Sequence, residues 1–423
     1  MQDKIVDLKY AKLHLIKTKK FRSINIKILL SQELKKEDIT KRNFLTDYLI
    51  LSTKKYKTKR MLALKIQELY SLYINAYTTR IGKNLITRFN MSLLNPKYTE
   101  ENMLSESIDL LSEIIFNPNV KSNKFESKNF NVIKNNILTE IKTIKENPKT
   151  YANIRMFENM DYDMPYTYHG YGYLEDLNNI DPKNLYEYYK EFIYKSDVDI
   201  YIIGDFVEDE IIKLVREKLN FKTFKNHERD IYIKHSKLPK KIKTVVESDD
   251  FNQSKLSIGC KISNLTDFER KYVINLYSMI LGGGFNSKFM SIIREKKSLA
   301  YYINSSVNKA DNILLIQSGI SDENFSLVVS NIKKIMKSIQ KGEVSESELA
   351  SVKMEYLSVL DESLDNIDSI LENQIAADLL DLDDLETRRK EINKVLVEDI
   401  VNISKKIRID TIYLLKGESH EKK

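Results

Sequence analysis

The chain is poor in several residue types. Its 423 residues include one cysteine, no tryptophan, 6 prolines and 11 glycines. A single thiol, Cys260, excludes an internal disulfide framework and any zinc site built from several cysteines, and it fits a reducing cytosol. So little glycine and proline excludes collagen-like and low-complexity scaffolds. No stretch approaches the roughly 18 uninterrupted apolar residues expected of a membrane span. Met1 to Ile5 lack a charged segment leading into an apolar run and a cleavage site, so no secretory signal is expected. Lys and Arg total 68 against 61 Asp and Glu, an excess too small to argue for nucleic-acid binding. What is present is 42% hydrophobic residues, enough for large cores and against disorder. The expectation is a cytoplasmic protein of about two to four domains, with no membrane and no nucleic-acid partner.

The order of patterns along the chain suggests a duplication. RSINIKILL (22–30) alternates Ile24, Ile26 and Ile28 with polar residues, as a half-buried strand does. Helical spacing follows over 41–52 and 59–72, then two strands over 75–94 with a turn at Ile81-Gly82-Lys83. Helices are expected at 100–116, 123–146 and 182–195. Between the last two, an aromatic loop is broken by Pro165, Gly170 and Gly172, and a strand follows at 197–206. Residues 226–250 are polar and basic around Pro239 and read as a linker. Then the order begins again: a strand at 255–263, helices at 267–281 and 286–296, strands at 300–307 and 312–320. Helices over 323–340, 345–361, 364–381 and 396–406 lead to a last strand at 411–417. The repeat has a period of about 200 residues, far above solenoid periods. The expected domains are 1–225 and 251–423, joined by 226–250.

Isolated chemical signals are weak. None of the five histidines, His14, His169, His227, His235 and His420, lies three or four residues from another, so no helical pair can grip a metal. Neither a G-x-x-x-x-G-K-[ST] loop nor a G-x-S-x-G elbow occurs. His169 reads as a loop histidine or a general base, and Cys260 as strand core or a nucleophile. The lysine-rich run at 236–243 is a solvated linker or an anion patch. Gly282-Gly283-Gly284 is a helix end or an anion cradle.

Longer segments are more specific. LGGGFNSKFMSIIREKKSLAYYINSSV (281–307) closely resembles the C-terminal domain signature of the insulinase/pitrilysin family of zinc peptidases, which includes the mitochondrial processing peptidase. NAYTTR (75–80) resembles that family's edge strand, and FNVIKNNILTEIK (130–142) its third-ligand helix. Residues 173–206 resemble the closing helix and strand of its first domain. The segments span nearly the whole chain in the family's order. The resemblance implies an α+β fold of two homologous domains, each a mostly antiparallel sheet with helices packed on one face.

The family's catalytic motif is His-x-x-Glu-His, two zinc-binding imidazoles on one helix face and a glutamate that activates water. Here the matching helix reads NFLTDYLILSTKKY. Asn43 and Asp47 stand at the histidine positions and Thr46 at the glutamate position. Glu140 matches the third ligand, and its 93-residue distance from Asp47 exceeds the usual family spacing. An amide and one or two carboxylates make a poor tetrahedral zinc site, and no general base stands beside it. Asp47 and Glu140 read as a solvated or ion-paired helix face, or as a weak site for a hard cation. No cofactor is therefore expected in this chain, and no peptidase activity from it alone.

A second motif is intact. The resemblance implies that Arg294 and, seven residues later, Tyr301 reach substrate in a zinc domain's site. A guanidinium presents planar donors to a carbonyl or carboxylate, and a phenol can donate to a developing oxyanion. The bland reading is an ion-pairing arginine at a helix end and a packing tyrosine. Asn75 and Ala76 lie on the implied edge strand, where an extended peptide would add. The combination resembles the non-catalytic subunit of a two-component bacterial peptidase, whose paralogous partner carries the zinc. The bacterial pairs of this type lie among proteins associated with elongation factor P modification or small-peptide processing. The alternative is a structural or chaperone-like homodimer of the same fold; a weaker one is an active peptidase with an unusual site.

Overall fold

The computed structural model describes residues 3–99, 103–221, 230–235 and 238–417. Two compact units form: Met1–Lys142, His169–Asp230 and Asn366–Ile375 make the first, and Thr143–Tyr168, Ile231–Asp365 and Ala376–Lys423 the second. The units are therefore not the two contiguous stretches 1–225 and 251–423. The first half supplies Thr143–Tyr168 to the second unit, and the second half supplies Asn366–Ile375 to the first.

The first unit is built on β1 (Asp3–Asp7), β2 (Lys12–Lys17), β3 (Ser23–Glu33), β4 (Tyr73–Ile81), β5 (Asn84–Leu94) and a later strand, β8 (Asp197–Gly204). A two-strand ribbon, β6 (Val120–Lys121) and β7 (Lys124–Phe125), intervenes. The sheet order is β1-β2-β8-β3-β5-β4, with only β2 and β8 parallel. β4 is thus an edge. The β4–β5 hairpin turns at Gly82, whose φ of 55° suits a residue without a Cβ. On β3, Ile24, Ile26, Ile28 and Leu30 face the core. Helices Lys36–Leu49, Met103–Phe116, Ser127–Thr143, Pro182–Lys195 and Glu208–Lys218 bury residues against that same core.

The other face of this sheet is polar. It carries Asn25 and Lys27 on β3 and Arg88 and Asn90 on β5, all buried. Lys27 Nζ lies 2.7 Å from Asp368 and 2.5 Å from Glu372, and Arg88 Nη1 donates to Glu372 at 2.8 Å. Both carboxylates belong to the segment lent by the second half. Buried cations of this kind require such partners.

The second unit contains β9 (Lys243–Asp249), β10 (Ser254–Ile262), β11 (Tyr302–Asn308), β12 (Ile313–Ile320) and β13 (Ile407–Gly417). Their order is β11-β12-β10-β13-β9, with only β9 and β13 parallel. Leu256, Ile258, Cys260 and Ile262 point into a core closed by Phe325–Gln340, Glu346–Glu362 and Val397–Ser404. The Pro148–Met160 helix packs on the opposite face, where Ser257 Oγ donates to Asn153 at 2.7 Å. The expected linker is corrected in part. Lys243–Asp249 is a strand, because its partly covered residues ladder onto β13. Residues 226–229 and 236–237 of the linker, and His227 and His420, lie outside the described residues.

Candidate functional site

The first candidate region starts from the Lys36–Leu49 helix. Glu37 and Asp38 occupy its first turn, where carboxylates favour the positive end of the helix dipole. Phe44 and Tyr48 fix its position. Phe44 stacks on Phe130 at 4.5 Å, and Tyr48 packs on Phe125 at 4.3 Å. Tyr48 Oη donates to the Asn119 carbonyl and accepts from the Glu126 amide, each at 2.8 Å. These contacts clamp the helix against Ser127–Thr143, the helix that carries Glu140.

Asn43 and Asp47 lie one turn apart on that helix and share a side. Asn43 Nδ2 donates to the Gly170 carbonyl at 2.7 Å. Asp47 lies close enough to Glu140 for the two to repel. Its carboxyl is pushed from 3.8 up to about 6, by burial first and by the Glu140 charge second. Despite the long sequence gap, the Glu140 charge acts on Asp47.

Thr46 is 2% exposed. Its hydroxyl donates to the Arg42 carbonyl at 2.7 Å and meets Thr78 Oγ1 at 2.9 Å. Thr78 meets Thr87 at 3.0 Å, and Arg42 Nη1 donates to Thr87 at 3.4 Å. A line of hydroxyls thus runs from the helix across β4 and β5 to a fully buried arginine. Arg42 also bonds Tyr188 at 3.0 Å and Gln32, and lies 4.0 Å from the Phe192 ring centroid. Sequence reasoning missed this line; its only signal is threonine at positions 46, 78 and 87, far apart in the chain. The donors beside Asn43 are an engaged amide, an engaged hydroxyl and two carboxylates. That set does not fit tetrahedral zinc, because it lacks the imidazole or thiolate ligands that such sites combine with a carboxylate.

The Thr46–Thr78 contact joins the helix to the edge strand. On β4, Asn75 accepts from Asn90 Nδ2 at 2.8 Å and donates to Tyr73 Oη at 2.8 Å. Ala76 is buried beside it. β5 is the only strand of the sheet that β4 pairs with among the described residues.

The second candidate region is in the other unit. The 267–283 stretch is wound with π turns at Glu269–Val273 and Met279–Gly283, and a third π segment covers Met290–Lys296. Such windings recur at functional sites. Gly282, Gly283 and Gly284 end the first stretch, and a Cβ on Gly282 would meet Ser305 backbone at 2.9 Å. Arg294 is exposed and donates to Met290 Sδ at 3.2 Å; it makes no ion pair among the described residues. The chain then reverses through Ser298, at φ 52°. Tyr301 follows, 61% exposed, its amide donating to Gly319 at 2.9 Å and its hydroxyl 3.4 Å from Ser321. It is not a core-packing residue.

Of the two other candidates, Cys260 resolves as structural. Cys260 is fully buried, and burial pushes its thiol far up, away from nucleophile character. His169 stacks on Tyr173 at 4.9 Å.

Comparison with known proteins agrees with this picture. Residues 179–356 match the family described as Peptidase M16 inactive domain. The chain is 29% identical over 414 residues to a Bacillus subtilis protein named "Probable inactive metalloprotease YmfF", covering 96% of this chain and 95% of that one. It is 22% identical to the Helicobacter pylori "Zinc protease PqqE", covering 78% and 74% of the two chains. A conserved protein from Enterococcus faecalis has a solved structure that superposes with a TM-score of 0.89 at 25% identity, covering 99% of both chains. The fold, the order of motifs and these matches agree: the chain is similar to M16 peptidases and to an inactive member among them, and it carries Asn43, Thr46 and Asp47 where the resemblance places His-x-x-Glu-His.

Proposed function

We propose that this protein is the zinc-free subunit of a two-component metallopeptidase. It holds an extended peptide on the free edge of β4 and presents Arg294 and Tyr301 to substrate cut by a zinc-bearing paralogous partner. The observation that carries this reading is the contrast between the two regions. The residues at the zinc and water-activating positions are replaced, and Asn43 and Thr46 are tied into hydrogen bonds. Arg294 and Tyr301, by contrast, project into solvent without strong partners. A side chain kept exposed and uncommitted is available to a ligand, whereas a packing residue would be covered.

The chemistry of each residue follows. An added peptide strand would gain main-chain hydrogen bonds along Asn75 and Ala76. Tyr301 would donate its O–H to the carbonyl oxygen as that atom gains negative charge, an interaction strongest in the transition state. Arg294 would hold a peptide carbonyl or carboxylate in both ground and transition states. This chain supplies neither metal nor water activation, so zinc is expected in the partner alone.

The test uses the reconstituted pair, with assembly checked by size-exclusion chromatography. Tyr301→Phe should lower kcat by on the order of 10²–10³ with little change in KM. Arg294→Ala should raise KM as well. Near-wild-type turnover by both variants in an intact complex would leave this chain a structural subunit and overturn the proposal.

A further inference from the structure

On the face of the second unit's sheet that meets the Pro148–Met160 helix, Arg155 and Lys261 are paired with Glu247, Asp161 and Asp410, but two cations near the β11 edge make no ion pair among the described residues. Lys255 on β10 and Lys149 on that helix both approach the ring of Tyr302, the first residue of the edge strand β11. Their ammonium groups lie 5.6 and 5.5 Å from its centroid. Tyr302 can lie there because its neighbour on β12 is glycine. A Cβ on Gly319 would come within 2.5 Å of the Tyr302 ring and 2.9 Å of Gln253 Oε1. Lys255 Nζ donates to that same Gln253 oxygen. Two residues along β11, on the same face, Asn304 Oδ1 is buried with no hydrogen-bond partner among the described residues.

The charge balance is unusual. Neither Lys149 nor Lys255 makes an ion pair among the described residues. Lys255 is held below the usual lysine range by burial and by repulsion from Lys149. Lys149 is exposed and solvated, whereas Lys255 is partly buried and has only an aromatic ring and one neutral amide oxygen as compensation. A carboxylate placed between them would accept charge-assisted hydrogen bonds from both.

We infer that Lys149, Lys255 and Tyr302 form a receptor for a carboxylate group of the bound peptide, at the β11 edge one residue from Tyr301. The inference rests on the peptide-binding reading above. It adds that the preferred ligand carries an acidic side chain or a free C-terminus at this point. Gly319 belongs to the receptor as the residue whose missing Cβ lets the ring lie flat.

The experiment measures binding of fluorescein-labelled ten-residue peptides to the full chain by fluorescence anisotropy. Three peptides share one neutral sequence: a free C-terminal acid, its C-terminal amide, and the amide with one internal Gln→Glu. At least one carboxylate peptide should bind about tenfold more tightly than the neutral amide, as for hydrogen bonds to a charged group. The arm that gains identifies a C-terminus or a side chain as the source. Lys255→Met and Lys149→Met should each remove most of that gain while leaving the neutral amide's affinity unchanged. Equal affinity of all three peptides, or a gain that survives both substitutions, overturns the receptor and leaves peptide binding standing. No binding by any peptide, at concentrations where the folded chain is confirmed by circular dichroism, overturns both.

Discussion

Substituting Asp47→Asn should stabilise the protein, and only above acidic pH. The Asp47 carboxyl titrates near 3.8 when unfolded and at about 6 when folded. Below the lower value both states are protonated, and the residue contributes nothing. Between the two values the folded chain keeps a proton that the unfolded chain has released, so stability falls as pH rises. Above about pH 6 the whole cost is present. At 1.36 kcal/mol per pK unit this is about 3 kcal/mol, and residual solvent contact reduces it to roughly 1.5–3 kcal/mol. Asparagine keeps the shape and has no proton to lose. Urea unfolding followed by far-ultraviolet circular dichroism should therefore give nearly equal stabilities near pH 4. At pH 8 the variant should be more stable by about 1.5–3 kcal/mol. Carboxyl-carbon NMR supplies an independent readout. Glu140→Gln should lower the Asp47 midpoint, without returning it to 3.8, because burial remains the larger cause. A variant less stable than wild type at pH 8, or an Asp47 midpoint unmoved by Glu140→Gln, would refute the placement of these two carboxylates.

The purified chain should hold no stoichiometric zinc after mild chelation; elemental analysis showing about one tightly bound zinc, with hydrolysis that chelation abolishes, would contradict the donor argument. Asn43→His with Asp47→His should create measurable zinc affinity, because the two imidazoles would share one helix face within the field of the Glu140 carboxylate; calorimetry showing no gain in a folded variant would mean that the helix register is wrong. Gly172→Ala should cost about 2 kcal/mol, since Gly172 sits at φ +91° with Thr40 Oγ1 2.6 Å from a would-be Cβ; an unchanged thermal midpoint would show that the loop relaxes freely.

Strong periodicity was legible, and local polarity hid the rest. The alternation of Ile24, Ile26 and Ile28 and the turn at Gly82 are local signals, and the structure places strands there. β1 and β2 escape notice because DKIVD and KLHLIK are short and interleave charge with Ile5, Leu13 and Leu15. The Pro148–Met160 helix buries only Ala152, Met156 and Met160, too thin a stripe against its polar neighbours. Leu385–Lys394 was missed for the same reason. At the candidate sites, the replaced motif and the Arg294–Tyr301 pair could be read by resemblance. The hydroxyl line from Thr46 to Arg42 could not, because each contact joins positions on different elements. Nor could sequence show that Asn43 spends its amide on Gly170.

The exchanged segments constrain how the protein can be made. Lys27 and Arg88 are translated early, yet Asp368 and Glu372 emerge from the ribosome only near the end of synthesis. Until then Lys27 and Arg88 lack their counter-charges, and covering them without those carboxylates would cost about 3–5 kcal/mol, as when a buried pair loses one partner. The nascent first half is therefore held short of its native state, with its polar sheet face open to water. Completion of the first unit is tied to completion of the polypeptide, and a chain truncated before residue 366 would be a quality-control substrate rather than a half-sized working domain.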